Sequence, residues 1–143
     1  VYEFVAICIP NLLAYVYQTC IGIPMSNNIE SLTLTKEALI GTGATVFLFS
    51  DRYACTVVDF DEVKKIITVQ SDNAKRTDFN GMSDCQSYDY STDENGRYFR
   101  FKIKDEEWRE AYVNEKGNFV LRKPSDSKKL AVGFRRQYYD FSF

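Results

Sequence analysis

Runs of apolar and β-branched residues alternate with clusters of turn-forming residues from about residue 44 to residue 143. The clusters recur about every ten positions, a spacing typical of strands in an antiparallel sheet. No long helical period separates the runs, which disfavours an α/β fold. The pattern therefore predicts an all-β domain, built as a small antiparallel barrel or as a meander.

Nine strands follow from these runs, and one helical turn is predicted before them at Lys36–Leu39. Two of the strands flank residues 92–96, where the Asn95-Gly96 pair is typical of a hairpin connection. The chain ends on aromatic residues, so we expect the final strand to be pinned into the sheet although termini usually fray. The predicted strands cover residues 44–49, 53–60, 64–71, 86–91, 97–104, 108–113, 118–122, 130–134 and 138–143.

Alternation assigns the two faces of the predicted strand at residues 97–104. Phe99, Phe101 and Ile103 share one face, because successive side chains of a strand point to opposite sides. The opposite face carries an aromatic and three basic residues, which are Tyr98, Arg100, Lys102 and Lys104. We expect this second set to face solvent.

Residues 1–24 differ sharply in composition from the remainder of the chain. Residues 4–24 form an uncharged, mostly apolar run of 21 residues, which is long enough to cross a bilayer. Three interpretations are open: an apolar extension before an ordinary start at Met25, a segment packed on the domain, or a membrane anchor. The first of these leaves residues 25–143 as a single barrel-like domain, with a helical or extended segment at its beginning.

Charge and histidine content exclude several classes of protein. The chain has 18 Lys and Arg against 20 Asp and Glu, a net charge of −2, so its whole surface does not attract nucleic acid or membranes. The absence of histidine rules out Ser-His-Asp and Cys-His catalysis and every zinc site that needs imidazole. Acidic clusters at 59–62 and 105–107 fall at predicted turns, where carboxylates are solvated. We therefore predict no enzyme, no cofactor and no metal site.

The cysteines indicate a reducing compartment. Cys8, Cys20, Cys55 and Cys85 lie at least twelve positions apart, so the chain has no C-x-x-C motif. Cys55 lies within an apolar run and is predicted to be a buried thiol that packs as a small hydrophobic side chain. Nothing in the spacing calls for disulfides.

The candidate binding site is a long polar stretch, residues 72–84, together with the basic face of the strand at 97–104. A connection of this length in a compact domain is typically functional or mobile. Basic, aromatic and amide side chains from both segments would form a platform for a nucleotide or a single strand. An ordinary loop beside a solvated strand face is the alternative. The candidate ligand-binding residues are Lys75, Arg76, Phe79, Asn80, Tyr98, Arg100 and Lys102.

Four stretches of the chain, taken together, are similar to stretches found in other proteins. They are DRYA leading to TVV (51–58), ITVQxDxA (67–74), NGMSDxQxY (80–88) and YYDFSF (138–143). They resemble a group of small uncharacterised proteins of bacteriophage and prophage genomes, over about residues 41–143. The resemblance brings no catalytic residues with it. It implies a phage-type origin, and hence the cytoplasm of a host cell or a virion.

Residues 44–70 alternate strand, turn, strand, acidic turn and strand, which is similar to the opening of SH3-like small barrels of the Tudor and KOW type. Such barrels bind nucleic acid, ribosomal surfaces or peptides, and the similarity concerns fold alone. The leading hypothesis is a non-catalytic phage-type accessory protein that binds nucleic acid or a nucleotide signal. The alternative is a virion or assembly protein that self-associates through strand edges. A membrane partner is expected only if residues 4–24 are an anchor.

Overall fold

The computed structural model describes residues 35–142 of the chain. In this part of the chain a helical turn, α1 (Lys36–Leu39), precedes nine strands. The strands are β1 (Gly43–Phe47), β2 (Arg52–Asp61), β3 (Ile66–Ser71), β4 (Asn73–Arg76), β5 (Tyr88–Ser91), β6 (Tyr98–Lys104), β7 (Glu107–Val113), β8 (Phe119–Leu121) and β9 (Lys129–Val132). The predictions for residues 1–34 and for Phe143 concern positions outside the described residues.

Seven strands form one antiparallel sheet in the order β8-β7-β6-β3-β2-β1-β9, while β4 and β5 form a separate antiparallel pair. The predicted all-β meander is thus confirmed. A closed barrel is wrong, because within residues 35–142 no ladder joins the two edge strands β8 and β9.

The hydrophobic core lies on one face of the seven-stranded sheet, because alternate side chains of its strands turn inward. Its largest fully buried side chains come from β1, β2, β3 and β6, and include Phe60, Phe101, Ile67, Val46, Val57 and Val69. The α1 turn begins where the Thr35 hydroxyl accepts the N–H of Ala38, and it adds Leu39 to the core. Burial of each large side chain contributes about 1.5–3 kcal/mol, so this face strongly specifies the register of the strands.

Most predicted elements are confirmed. The helical turn lies at Lys36–Leu39 as predicted, and eight predicted strands match β1, β2, β3 and β5–β9 to within two residues at each end. Residues 72–84, predicted to be a loop throughout, instead contain β4. β4 has a polar sequence with weak strand propensity, but its ladder with β5 outweighs that propensity.

The predicted final strand at 138–143 is wrong over its described part, since within residues 138–142 only Tyr138 forms a bridge, with Arg52 of β2. β3 covers its side of β2 only as far as Cys55, so residues 52–54 leave room for a single bridge there. Tyr139 and Asp140 are instead held by hydrogen bonds with side chains. The amide of Gln86 bonds both the N–H and the carbonyl of Tyr139, and Asp51 accepts the N–H of Asp140.

A tight turn joins the two sheets where β5 leads into β6. The Gln70 amide donates to the carbonyls of Glu94 and Gly96, and the Ser71 hydroxyl accepts the N–H of Arg97. Gly96 is buried, and a Cβ at this position would collide with the carbonyl oxygen of Ser71. The predicted Asn95-Gly96 connection therefore needs glycine because two backbone segments approach closely.

A buried carboxylate connects β7 to the residues just before β9. Glu110 lies opposite Phe101 on the core face and is only 6% exposed. Its carboxylate accepts the N–H of Lys128 at 3.1 Å and the Lys128 ammonium at 2.9 Å, and Arg122 Nε lies 3.3 Å away. The Glu110 N–H donates to the Ser127 hydroxyl. These bonds connect two strands that share no ladder.

We expect Glu110→Gln to lower the free energy of unfolding by about 1–3 kcal/mol, because a buried charged acceptor becomes neutral while its cationic partners remain. Urea denaturation at neutral pH measures the change. Glu115→Gln, in the exposed turn after β7, is the matched control and should change the free energy by less than about 0.5 kcal/mol. Equal effects of the two substitutions would contradict the role of Glu110.

The effect of Glu110→Gln should depend on pH. Burial alone raises the pKa of Glu110, but hydrogen bonds from the side chain and backbone of Lys128, with the Arg122 charge, outweigh burial and hold the pKa below 4.5. The stabilisation is therefore complete above about pH 4.5 and is lost as the pH falls through the lower folded-state pKa. The difference in unfolding free energy between wild type and Glu110→Gln should therefore shrink as the pH falls below 4.5. A constant difference would contradict this account.

Candidate functional site

The outward face of β3, β6, β7 and β8, on the side of the sheet opposite the core, carries three of the predicted ligand-binding residues. Phe99 and Phe101 of β6 are 4% and 0% exposed. Tyr98, Arg100 and Lys102 therefore point away from the core, as alternation predicts, and Tyr98 is 52% exposed.

A groove of about 310 Å³ crosses this outward face. The volume lies at the lower end of the range of ligand pockets, about 300–1,000 Å³, which suits a group the size of one nucleobase. A register shift in β2 between Val57 and Asp59 places the extra residue, Val58, in the groove wall. The lining residues are Val58, Asp59, Asp61, Ile66, Thr68, Tyr98, Arg100 and Phe119.

Three cations lie side by side on the outward face without an acidic partner. Lys102 of β6 is directly opposite Arg109 of β7, and Arg100 is two positions along β6 on the same face. None of the three belongs to an ion pair within residues 35–142. Like charges directly opposite each other in a sheet are destabilising. An anion bound at this face would remove that repulsion.

The two carboxylates in the groove wall differ in their bonding. The Lys36 ammonium lies 2.8 Å from Asp59, and its hydrogen bond lowers the pKa of that carboxyl. One oxygen of Asp61 accepts the N–H groups of Val63 and Lys64 and so fixes the turn after β2. The other oxygen of Asp61 accepts no hydrogen bond from the described residues. It is an unused acceptor at the groove.

Two aromatic rings border the groove. Phe119 of β8 is 40% exposed, and the Lys64 ammonium lies 5.7 Å from its ring centroid. Tyr98 forms the other aromatic wall, and the buried side chain of Ile66 contributes apolar surface. Exposed aromatic rings beside free cations are the combination by which single-stranded nucleic acids are held.

Two predicted site residues in the 72–84 stretch have structural partners. The Arg76 guanidinium forms a two-pronged pair with Asp78, at 2.9 Å from both Nε and Nη2, and lies 5.6 Å from the Phe141 ring centroid. Its hydrogen bonds, with those from the N–H groups of Ser87 and Asn80, hold the pKa of Asp78 far below the ordinary value. Asn80 donates its amide to the carbonyl of Cys85. Both side chains stabilise the loop.

Lys75 and Phe79 are exposed, but they lie away from the groove. Lys75 faces Asp89 across the two-stranded sheet, and Phe79 is fully exposed on the loop beyond β4. None of the four candidates from residues 72–84 lines the groove that contains Tyr98 and Arg100. The structure therefore divides the predicted platform into two separate surfaces.

The sequence contained a signal for Arg109 that the prediction did not use. Asp105 and Glu106 form a two-residue turn with φ of 53° and 62°, the left-handed geometry of a tight hairpin. Such a turn pairs Lys104 with Glu107 and therefore Lys102 with Arg109. Phe119 of β8 and Asp61 of β2 both line the groove although three strands lie between β8 and β2 in the sheet order, which no local pattern encodes.

A second groove of about 400 Å³ runs along β5 and reaches Arg135. Arg135 Nε lies 2.8 Å from the buried carboxylate of Asp72, and its Nη2 lies 3.0 Å from the Thr56 hydroxyl. The charge of Arg135 is thus neutralised within the fold, so this groove offers no free cation to an anionic ligand.

Other chemistry has little support among the described residues. Cys55 is buried as predicted, and burial raises the pKa of its thiol to about 12, so the reactive thiolate is suppressed. Cys85 is exposed and forms no disulfide. Residues 35–142 contain no group of three acidic or cysteine side chains placed to hold a metal ion. No helix of this part of the chain is long and apolar enough to span a bilayer.

Comparison of the chain with protein-family models, with curated proteins and with solved structures found no match. The resemblance to phage proteins and the similarity to SH3-like barrels therefore stay predictions.

We expect Asp78→Ala to loosen the loop at residues 77–87 while leaving the seven-stranded sheet intact. Asp78 accepts hydrogen bonds from Arg76 and from the N–H groups of Asn80 and Ser87, and all of them are lost. Hydrogen exchange should accelerate in this loop and stay unchanged in β2, β3 and β6. Asp89→Ala, at an exposed position of β5, is the control and should leave the loop protected. Unchanged exchange in Asp78→Ala would contradict the role of this carboxylate.

Proposed function

We propose that this protein is a non-catalytic binding module that holds single-stranded nucleic acid on the outward face of β6, β7 and β8. The phage-type accessory role expected from the sequence is part of this proposal. The outward face supplies cations for phosphates and aromatic rings for bases. Acidic residues elsewhere in the chain offset these cations, so the net charge of the whole chain is −2.

One observation carries the proposal: Lys102 and Arg109 are directly opposite in the register, and Arg100 is their neighbour, with no carboxylate paired to any of them within the described residues. Like charges directly opposite each other lower the stability of a sheet, so stability does not account for this arrangement. Local rules of this kind are broken mainly at functional sites. A polyanion laid across the three cations would turn the repulsion into attraction.

The arrangement favours a strand over a free nucleotide. A nucleotide in the groove would use Arg100 and the two rings, Tyr98 and Phe119, and would leave Lys102 and Arg109 unneutralised. A strand with several phosphates engages all three cations. A single strand is favoured over a duplex because its bases are free to stack on exposed rings.

Arg100→Gln should weaken binding to single-stranded DNA about fivefold, since one charge-assisted contact is lost. The slope of log affinity against log salt should fall by about 0.7 for each phosphate contact removed. Fluorescence anisotropy with a labelled 12-nucleotide strand of mixed sequence measures both quantities. Arg136→Gln is the matched control, because Arg136 is exposed and lies outside the groove.

The outcomes separate the possible surfaces. Unaltered affinity in Arg136→Gln together with weaker binding in Arg100→Gln supports the outward face. Absence of binding by the wild-type protein at low salt would refute the proposed function. Weaker binding in Lys75→Ala but not in Arg100→Gln would move the site to the two-stranded sheet.

A second candidate, an assembly protein, rests on a different observation. Phe79 and Met82, which are 102% and 71% exposed, project from a loop that Asp78 holds together. The strand edge β8 is less suited to self-association, because it has three residues and the basic pair at 122–123 and Pro124 follow it. Light scattering across a concentration series tests this candidate. A monomer at every concentration removes it, whereas an oligomer that Phe79→Ser dissociates supports it.

A further inference from the structure

We infer that the groove selects bases that carry an exocyclic amino group, which are cytosine, adenine and guanine, over thymine and uracil. This inference rests on the proposed function and names the base that the groove would take. The structural basis is the unused oxygen of Asp61, in a groove of about 310 Å³ that is bordered by Tyr98 and Phe119.

The carboxylate of Asp61 is held in one orientation. Its Oδ1 accepts the N–H of Val63 at 3.0 Å and the N–H of Lys64 at 2.9 Å, which are the first donors of the turn between β2 and β3. Oδ2 receives no donor from the described part of the chain, although Asp61 lines the groove. The groove therefore presents a fixed anionic acceptor, and a matching ligand offers an N–H donor.

The neighbouring carboxylate does not compete for this role. Asp59 already receives the Lys36 ammonium at 2.8 Å. The Arg100 guanidinium and the other two cations of the outward face lie on the β6 and β7 side, so phosphates would bind there while a base extends toward β2. The groove thus offers a hydrogen-bond acceptor, Asp61, to the base, and the three cations offer donors to the phosphates of the nucleic acid.

An acceptor in this position discriminates between pyrimidines of equal size. Cytosine presents its N4 amino group as a donor, whereas thymine presents the O4 oxygen, an acceptor, at the same place. Carboxylates accept from cytosine N4 in protein–DNA complexes. Thymine offers only its N3–H, which lies between the O2 and O4 oxygens, so a carboxylate that accepts this proton is repelled by both flanking acceptors. Stacking on the rings would be equal, but hydrogen bonding would be weaker for thymine.

The experiment compares oligo(dC) with oligo(dT) of equal length at neutral pH, by anisotropy, with wild type and Asp61→Asn. Wild type should bind oligo(dC) about fivefold more tightly. In Asp61→Asn the carbonyl oxygen must still accept the Val63 and Lys64 N–H groups, so the new amide donor faces the groove. The preference should then invert toward oligo(dT), which accepts from it. Asp89→Asn is the control and should keep the wild-type ratio.

The ratio of the two affinities is the readout, because removal of a negative charge strengthens binding of both oligonucleotides equally. Equal affinity of wild type for the two strands, or a cytosine preference that Asp61→Asn leaves unchanged, would overturn the inference while the proposed function stands. Binding of neither strand by wild type at low salt would overturn the proposed function itself.

Discussion

The pairing of β3 with β6 is the interaction on which the rest of the structure depends. Ile67 and Val69 lie directly opposite Phe101 and Phe99, and all four are buried in the core. Because strand side chains alternate, this burial compels the intervening residues of β6 to face outward. A slip of one residue would exchange the two faces and expose both phenylalanines. The register that buries the core therefore also fixes which residues form the candidate binding surface.

The outward face contains a pair of like charges that lowers the stability of the sheet. A tight two-residue turn brings Lys102 opposite Arg109, and this pair of like charges destabilises the sheet. The two residues that flank the turn, Lys104 and Glu107, have opposite charges. By contrast, several other cations form ion pairs within the fold. Arg76 is paired with Asp78, Arg135 with Asp72, and Lys128 with Glu110. The candidate site is therefore distinguished by cations that are neighbours in the ladder and form no ion pair among the described residues, and not by basic residues alone.

The same distinction separates the candidate residues that are exposed at the surface from those whose side chains form bonds within the fold. Lys75 and Arg76 are adjacent basic residues, yet one is exposed and the other closes a loop through Asp78. Asp78 lies two residues after Arg76 in the sequence, and this spacing alone is compatible with either an exposed or a paired Arg76. Only the return of the chain at Ser87, which donates a further N–H to Asp78, commits the carboxylate to the loop.

The sequence by itself determined eight of the nine strands, the helical turn and the two faces of β6, because these depend on the period of side-chain direction and on local turn chemistry. The tertiary structure alone decided the open sheet, the two-stranded extension and the groove. β9 forms one edge of the sheet by pairing with β1, whereas β8, which precedes it in the chain, forms the other edge, and the Glu110 carboxylate accepts the N–H of Lys128 just before β9. Asp61 of β2 and Phe119 of β8 line one groove although three strands separate β2 from β8 in the sheet order, and local patterns do not contain such contacts between distant segments.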